Sequence, residues 1–197
     1  MNMIAVTELF NKIYETGALI IQPAKLFEID RCNNDLKSIG VAPLPAEYIE
    51  FLREVANGLA WNGFEFFGTY KVTVKKSGFV LKDIVYFNQY YHESKYGLKD
   101  MIVLGRFDDD MYVYNTVDKV YQSLDRLTLM EIETYETFED LLLLTVGEYA
   151  YYDDDDDYEE DDDDFEEDDE ESCPDGDSDD YEYPPDDEND FSRFADD

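Results

Sequence analysis

Histidine, cysteine and basic residues are all scarce in this chain, and each scarcity removes a class of chemistry. One histidine, His92, leaves no multi-histidine zinc site, and any Ser-His-Asp or Cys-His arrangement would have to use that same residue. No nucleophile-elbow motif frames a serine. The ten glycines are scattered, with neither GxGxxG nor GxxxxGK followed by Ser or Thr, so no phosphate cradle is expected. Two cysteines, Cys32 and Cys173, make no disulfide framework and suit a reducing compartment. The longest apolar run considered, Leu141 to Leu144, is far short of the roughly 20 residues needed to cross a bilayer. The opening stretch MNMIAVTELFNKIYETG has no basic start, no long apolar core and no small-residue cleavage site, unlike a signal peptide. A cytoplasmic location is expected, with no cofactor, no metal and no catalytic activity.

What the chain has in excess is negative charge: 51 acidic against 15 basic residues, a net −36. From Asp153 to Asp197 there are 28 Asp or Glu and one basic residue, Arg193, which puts −27 on that segment and −9 on residues 1–152. Like charges at such density cannot collapse onto a core. Two parts are therefore expected: a folded domain over 1–152 and a disordered Asp/Glu-rich tail over 153–197. Nucleic acid itself is excluded as a direct partner, because both parts repel phosphate.

Within the first part, hydrophobic periodicity predicts the elements. Val6, Leu9, Phe10, Ile13 and Tyr14 line one face of a helix over 6–16, closed by Gly17. A second helix is expected to begin at Pro23, with Leu26, Phe27, Ile29, Leu36 and Ile39 inward, a break at Asn33-Asn34 and a stop at Gly40. Over 45–57, Pro45 opens a helix with Tyr48, Phe51, Leu52 and Val55 inward, Glu47, Glu50, Arg53 and Glu54 on the wet side, and Asn57-Gly58 as its left-handed end. Trp61, Phe64, Phe66 and Phe67 read as one short aromatic strand. Tyr70 to Val74 alternates as a strand, Lys76-Ser77-Gly78 turns, and Phe79 to Leu81 resumes the sheet. Asp83 caps a helix with Ile84, Phe87, Tyr90 and Tyr91 spaced along it and Gly97 just beyond. Strands follow at 101–104, 111–114, 120–124 and 129–135, with Asp108-Asp109-Asp110 at a hairpin tip. Thr137, with Glu139 and Asp140 in the first turn, caps a last helix. The fold class is α+β: N-terminal helices packed on an antiparallel sheet, one inserted helix, and a C-terminal helix.

The ordered set Leu44-Pro45, Phe51-Leu52, Asn57-Gly58 and an aromatic strand closing on Gly68 resembles the SUKH superfamily, widespread as bacterial immunity proteins. The run YFNQYYHESKYGLKDMIVLGRFDDDMYVYN is similar to its YrhA-type branch. The resemblance covers roughly residues 1 to 147 and none of the acidic tail. It implies a SUKH-like fold and a non-enzymatic immunity protein that occludes a cognate toxin domain. Many toxins that the superfamily neutralises act on nucleic acid and carry a basic groove. The residues themselves add that an acidic domain with an acidic arm complements such a groove, and that the tail could mimic phosphate. The alternative is a regulatory or scaffold protein holding a basic protein partner through its tail.

Candidate contact residues follow from exposure and chemistry. His92 reads as an exposed polar residue near a helix end. The Asp108–Asp110 triplet lacks the alternate spacing, glycine and distant Glu of a calcium loop, and reads as a solvated turn. Tyr86, Phe87, Tyr90, Tyr91 and Tyr96 crowd one helix and its exit, divided between core packing and a partner surface. In the tail, Tyr158, Phe165, Tyr181, Tyr183, Phe191 and Phe194 recur among the acids, as a segment that orders on binding would have them. Partner contact is assigned to Tyr90, Tyr91, Asp108, Asp109, Asp110, Tyr158 and Phe165.

Overall fold

In the computed structural model the described residues are 3–93 and 98–152. Tyr96, Gly97, Cys173, Tyr158, Phe165 and the rest of the expected tail lie outside them.

The first helix, α1 (Met3–Glu15), buries Val6, Leu9, Phe10 and Ile13, while Tyr14 stands 69% exposed at the edge of that stripe. Strand β1 (Leu19–Ile20), unforeseen in the sequence, leads to α2 (Leu26–Ser38). That helix starts three residues later than Pro23 suggests, with the Glu28 carboxylate reaching back to the Lys25 N–H at 2.7 Å. Ile29, Cys32 and Leu36 form its buried stripe. Leu26 and Phe27, expected inward, overhang the core in the first turn and stay exposed. No break occurs at Asn33-Asn34: the helix runs through, and Asn33 Oδ1 accepts the Leu44 N–H at 2.9 Å, pinning the next connection. Gly17 and Gly40 end their helices in the same way. Each N–H reaches back three residues and the following N–H reaches back five, the pattern of a left-handed glycine cap.

Helix α3 (Ala46–Glu54) has Pro45 as its N-cap and stops before Asn57. Asn57-Gly58 is therefore not its end. The pair serves instead as a junction. The Asn57 N–H donates to Ile21 O, the Gly58 carbonyl accepts the Ile21 N–H, and Asn57 Oδ1 and Nδ2 bond the Thr69 N–H and Oγ1 at 2.8 and 3.0 Å.

The aromatic run is a hairpin, not one strand. Strands β2 (Leu59–Trp61) and β3 (Phe64–Phe66) are joined by Asn62 and Gly63, both with positive φ, 43° and 88°. Asn-Gly between apolar strands favours this two-residue turn because its twist matches the flanking strands. Strands β4 (Val72–Thr73) and β5 (Val80–Leu81) form a separate two-stranded sheet and do not extend the main one. Helix α4 (Ile84–Glu93) starts as expected, with Asp83 Oδ1 accepting the Tyr86 N–H at 2.8 Å.

Then comes the meander β6 (Met101–Phe107), β7 (Asp110–Asn115), β8 (Val120–Asp125) and β9 (Glu131–Tyr135). The main sheet runs β1-β2-β3-β6-β7-β8-β9, every neighbouring pair antiparallel. Thr137 caps α5 (Phe138–Leu142), with its Oγ1 accepting the Asp140 N–H and the Asp140 carboxylate accepting the Thr137 N–H. A π-helical turn (Leu143–Gly147) carries the chain into α6 (Glu148–Tyr152). The described residues thus form an α+β fold with an antiparallel sheet, an inserted helix and C-terminal helical turns. None of their helices is long and apolar enough to cross a membrane.

Period-two alternation divides the central strands between two faces. Phe64, Phe66 and Phe107 meet α5 and α6, with Phe66 edge-on to Phe138 at 5.7 Å and Phe64 edge-on to Tyr149 at 5.1 Å. Tyr48 of α3 lies among Phe51 and Phe138, fully buried, and its hydroxyl faces the Phe67 and Leu104 carbonyls at 2.6 and 3.1 Å. Burying each such ring contributes about 1.5–3 kcal/mol. Glu47, placed on the wet side by periodicity, instead accepts the Phe138 N–H at 2.8 Å and so closes the start of α5. Burial also pushes the Cys32 thiol up to about 12, which leaves it inert at neutral pH.

On the other face, Asn88 of α4 inserts where the β6–β7 register shifts between Val103 and Gly105. Its Nδ2 donates to Ile84 O and Val103 O at 2.8 and 2.9 Å, and its Oδ1 accepts the Val103 N–H at 2.9 Å. A bulge leaves ladder groups unpaired, and Asn88 supplies both kinds of partner. Asn88→Leu should strip donor and acceptor together and lower unfolding free energy by about 2–4 kcal/mol, read from urea denaturation midpoints.

Candidate functional site

Three turns gather at one end of the sheet: Asn62-Gly63 between β2 and β3, Asp108-Asp109 between β6 and β7, and residues 126–130 between β8 and β9. Antiparallel register brings them there, since Phe64 pairs with Phe107, Phe107 with Asp110, and Asp110 with Asp125. The hairpin tip expected at Asp108–Asp110 is observed at Asp108-Asp109, with Asp110 already the first residue of β7 and a positive φ of 49° at Asp108, a conformation that aspartate tolerates better than most residues.

Charge accumulates at this end. Burial, Asp125, Asp108 and Asp109 together raise the Asp110 carboxyl above its usual range. Asp109 has a close cation: its Oδ1 lies 2.8 Å from Arg126 Nη2, and its carbonyl accepts the Arg126 N–H. Asp125 is spent on the last turn, where its Oδ1 accepts the Thr128 N–H, the Thr128 hydroxyl and the Leu127 N–H. Those bonds hold it below the usual carboxylate range. They also fix a turn in which Leu129 takes a positive φ of 58° and in which Leu127 and Met130 are exposed to solvent.

A raised carboxyl costs stability wherever it is charged. At neutral pH the fold carries that cost, which is relieved as pH falls through the folded value towards the ordinary one. Asp110→Asn is thus expected to raise the unfolding free energy at pH 7 by about 0.5 kcal/mol, the scale of a largely solvated charge pair. The gain should shrink as the carboxylates protonate, measured by urea titration from pH 7 downwards.

Beside the tip, on the α4 face, Glu65 and Arg106 sit opposite one another on β3 and β6. Arg106 Nη2 donates to Glu65 Oε1 at 2.7 Å, a bond that raises the Arg106 pKa, and the guanidinium lies 5.4 Å from the Phe87 ring centre. Glu65 is 8% exposed, and its Oε2 has no hydrogen-bond partner. An open cleft of about 450 Å³ lies here, lined by Asn62, Gly63, Glu65, Arg106, Phe107 and Asp108.

No protein-family model matches the chain, and no curated protein does either.

Of the residues singled out from sequence, Asp108, Asp109 and Asp110 come together at the tip. Burial raises the Tyr91 hydroxyl above its ordinary range, with Arg126, the partner of Asp109, and Arg106 acting in the opposite direction. Tyr91 is buried and so offers packing in place of contact area, while Tyr90 stands 60% exposed with its ring edge-on to Tyr91 at 5.2 Å. Tyr86 is exposed and Phe87 buried, an even division along the helix. His92 is half-buried where an exposed side chain was expected. Tyr158 and Phe165 lie outside the described residues. Among the described residues no three His, Cys, Asp or Glu side chains are grouped to hold a metal ion. Sequence reasoning missed Glu65, Arg106, Leu127 and Met130. A signal for the first was present: a glutamate between Phe64 and Phe66 in a buried strand has to find a cation.

Proposed function

We propose that this chain is a non-enzymatic immunity protein of the SUKH superfamily, of the YrhA-type branch, which binds and occludes a basic, nuclease-type toxin domain. The observation that carries the reading is the end of the sheet just described. Asp108, Asp109, Asp110 and Asp125 converge there beside the exposed apolar side chains Leu127 and Met130, in a chain of net charge −36. Carboxylates give steering and register, and desolvated apolar anchors give affinity. The order of Leu-Pro, Asn-Gly and Gly68 supplies the family resemblance. The acidic segment 153–197 adds a phosphate-like arm to the same electrostatic logic. Occlusion needs no bond to be made or broken.

The test is neutralisation. Purified protein is mixed with the basic toxin domain encoded beside it, and the toxin's nuclease activity is followed. Stoichiometric inhibition that weakens with salt supports the reading; turnover of a small molecule by the protein alone would overturn it. The aromatic residues spaced through the tail favour a second reading, a scaffold that holds a basic housekeeping protein. It predicts capture of such proteins with no toxin partner.

A further inference from the structure

We infer that the outer edge of β9 is a dock at which a basic, extended segment of a protein partner adds as an eighth strand to the seven-stranded main sheet. The assignment rests on the partner being basic, and it names the surface that such a partner pairs with.

Among the described residues the main sheet ends at β1 on one side and at β9 on the other, and the two edges differ. β1 is two half-buried residues, flanked by the bonds from the Ala18 N–H to Ile13 O and from the Ile21 N–H to Gly58 O. β9 is five residues long, and Glu131, Ile132, Glu133 and Thr134 are exposed in succession, so the strand is open to solvent on both faces. Its backbone has groups to offer. The Asp125 N–H and carbonyl both turn towards β9, to Met130 O and the Leu129 N–H. The extra residue of the β8–β9 bulge lies on β9, so β8 keeps its alternation. Ser123 and Tyr121 therefore also face β9, and Gln122 faces β7. Thr134, opposite Gln122, accordingly points its own N–H and carbonyl outward, away from the sheet.

Charge selects the occupant. Glu131 and Glu133 accept bonds from the neutral hydroxyls of Thr134 and Tyr135, at 2.9 Å each, and among the described residues neither meets a cation at ion-pair distance. A second copy of the chain would bring these carboxylates against their own kind, in a molecule of net charge −36, and like charges on paired strands repel. A strand bearing Lys or Arg meets them with the opposite sign. Leu127, Met130 and Ile132, each more than half exposed, stand where β9 begins and give such a segment apolar anchors. Main-chain bonds then supply affinity, and the flanking side chains supply specificity.

The probe is the blocked peptide acetyl-Thr-Val-Lys-Lys-Val-Lys-Thr amide, titrated into the isotope-labelled full chain. It is read by NMR at the β9 amides, because the acidic segment 153–197 also attracts cations. Expected are saturable shifts over residues 131–135 and slowed hydrogen exchange of the Thr134 amide. The same peptide N-methylated at four successive residues keeps the charge but cannot donate from either edge, and it should leave Thr134 exchanging freely. Thr134→Pro removes the outward N–H and no bond to β8, so it should weaken binding about tenfold, read at Glu133 and Tyr135, while Thr134→Val retains it. Where Thr134→Pro fails to fold, the two peptides on the parent chain decide. Equal shifts from both peptides, shifts undiminished in a folded Thr134→Pro protein, or a Thr134 amide already protected by a second copy in the free chain overturn the dock. With the toxin domain as ligand, full inhibition by Thr134→Pro removes the edge from the partner interface and leaves occlusion standing. A parent chain that inhibits no toxin fails the immunity reading, and the peptide pair still decides the edge.

Discussion

Gly68→Ala is expected to abolish the folded state at ordinary temperature, or to lower its stability by more than about 4 kcal/mol. A Cβ on Gly68 would stand 2.1 Å from the Asn57 carbonyl oxygen and 2.8 Å from its carbon, both backbone atoms with no rotamer to yield. Neither side can retreat. Asn57 is bonded to Ile21 on one flank and to Thr69 on the other, and the Gly68 carbonyl accepts the Ile84 N–H at the start of α4. Moving residue 68 outwards would break the seam where β1, β3 and α4 meet. Gly78→Ala is the control. It has a positive φ but nothing within 4 Å of an added Cβ, so it should cost only about 1 kcal/mol of backbone strain. Thermal melts followed by circular dichroism separate the two, and a Gly68→Ala protein melting within a few degrees of the parent would refute the argument.

The second large effect concerns association. Removing residues 153–197 takes away −27 of the −36 charges. Steering by summed charge raises encounter rates by about 10- to 1,000-fold, so the truncated protein should associate with its basic partner slower by one to three orders of magnitude at low salt. The difference should narrow steeply as the Debye length shrinks from about 10 Å at 0.1 M to about 3 Å at 1 M. Dissociation should change less, because exposed contacts at the sheet end remain. Stopped-flow association at several salt concentrations reads both quantities. Equal rates for the two forms at low salt would dispose of the phosphate-mimic arm without touching occlusion by the folded domain.

Much of the helical content was legible because helices announce themselves locally. Asp83 and Thr137 cap α4 and α5 as their side-chain chemistry requires, and Gly17 and Gly40 close α1 and α2. The errors were of another kind. Asn62-Gly63 is the strongest two-residue hairpin signal in the chain, yet the aromatic density around it disguised a turn as a strand. Leu26 and Phe27 match helical spacing and still face solvent, because periodicity says which residues share a face and not where along that face the neighbouring element ends.

For the candidate site, the sequence placed Asp108 to Asp110 at a hairpin tip, since three consecutive carboxylates between apolar runs favour a solvated turn; Asp108 and Asp109 form it, and Asp110 is drawn into β7. It could not place Asp125, Arg126, Leu127 and Met130 beside them, nor set Glu65 across from Arg106, because those meetings depend on sheet register across strands 15 to 41 residues apart. What the sequence alone determined, then, is the excess of negative charge, the α+β class and the local caps, all set by composition and by neighbours within a turn or two. The tertiary structure alone decided which carboxylates share one end of the sheet and which buried oxygen is left without a donor. Cross-strand pairing brings together residues that no local pattern connects.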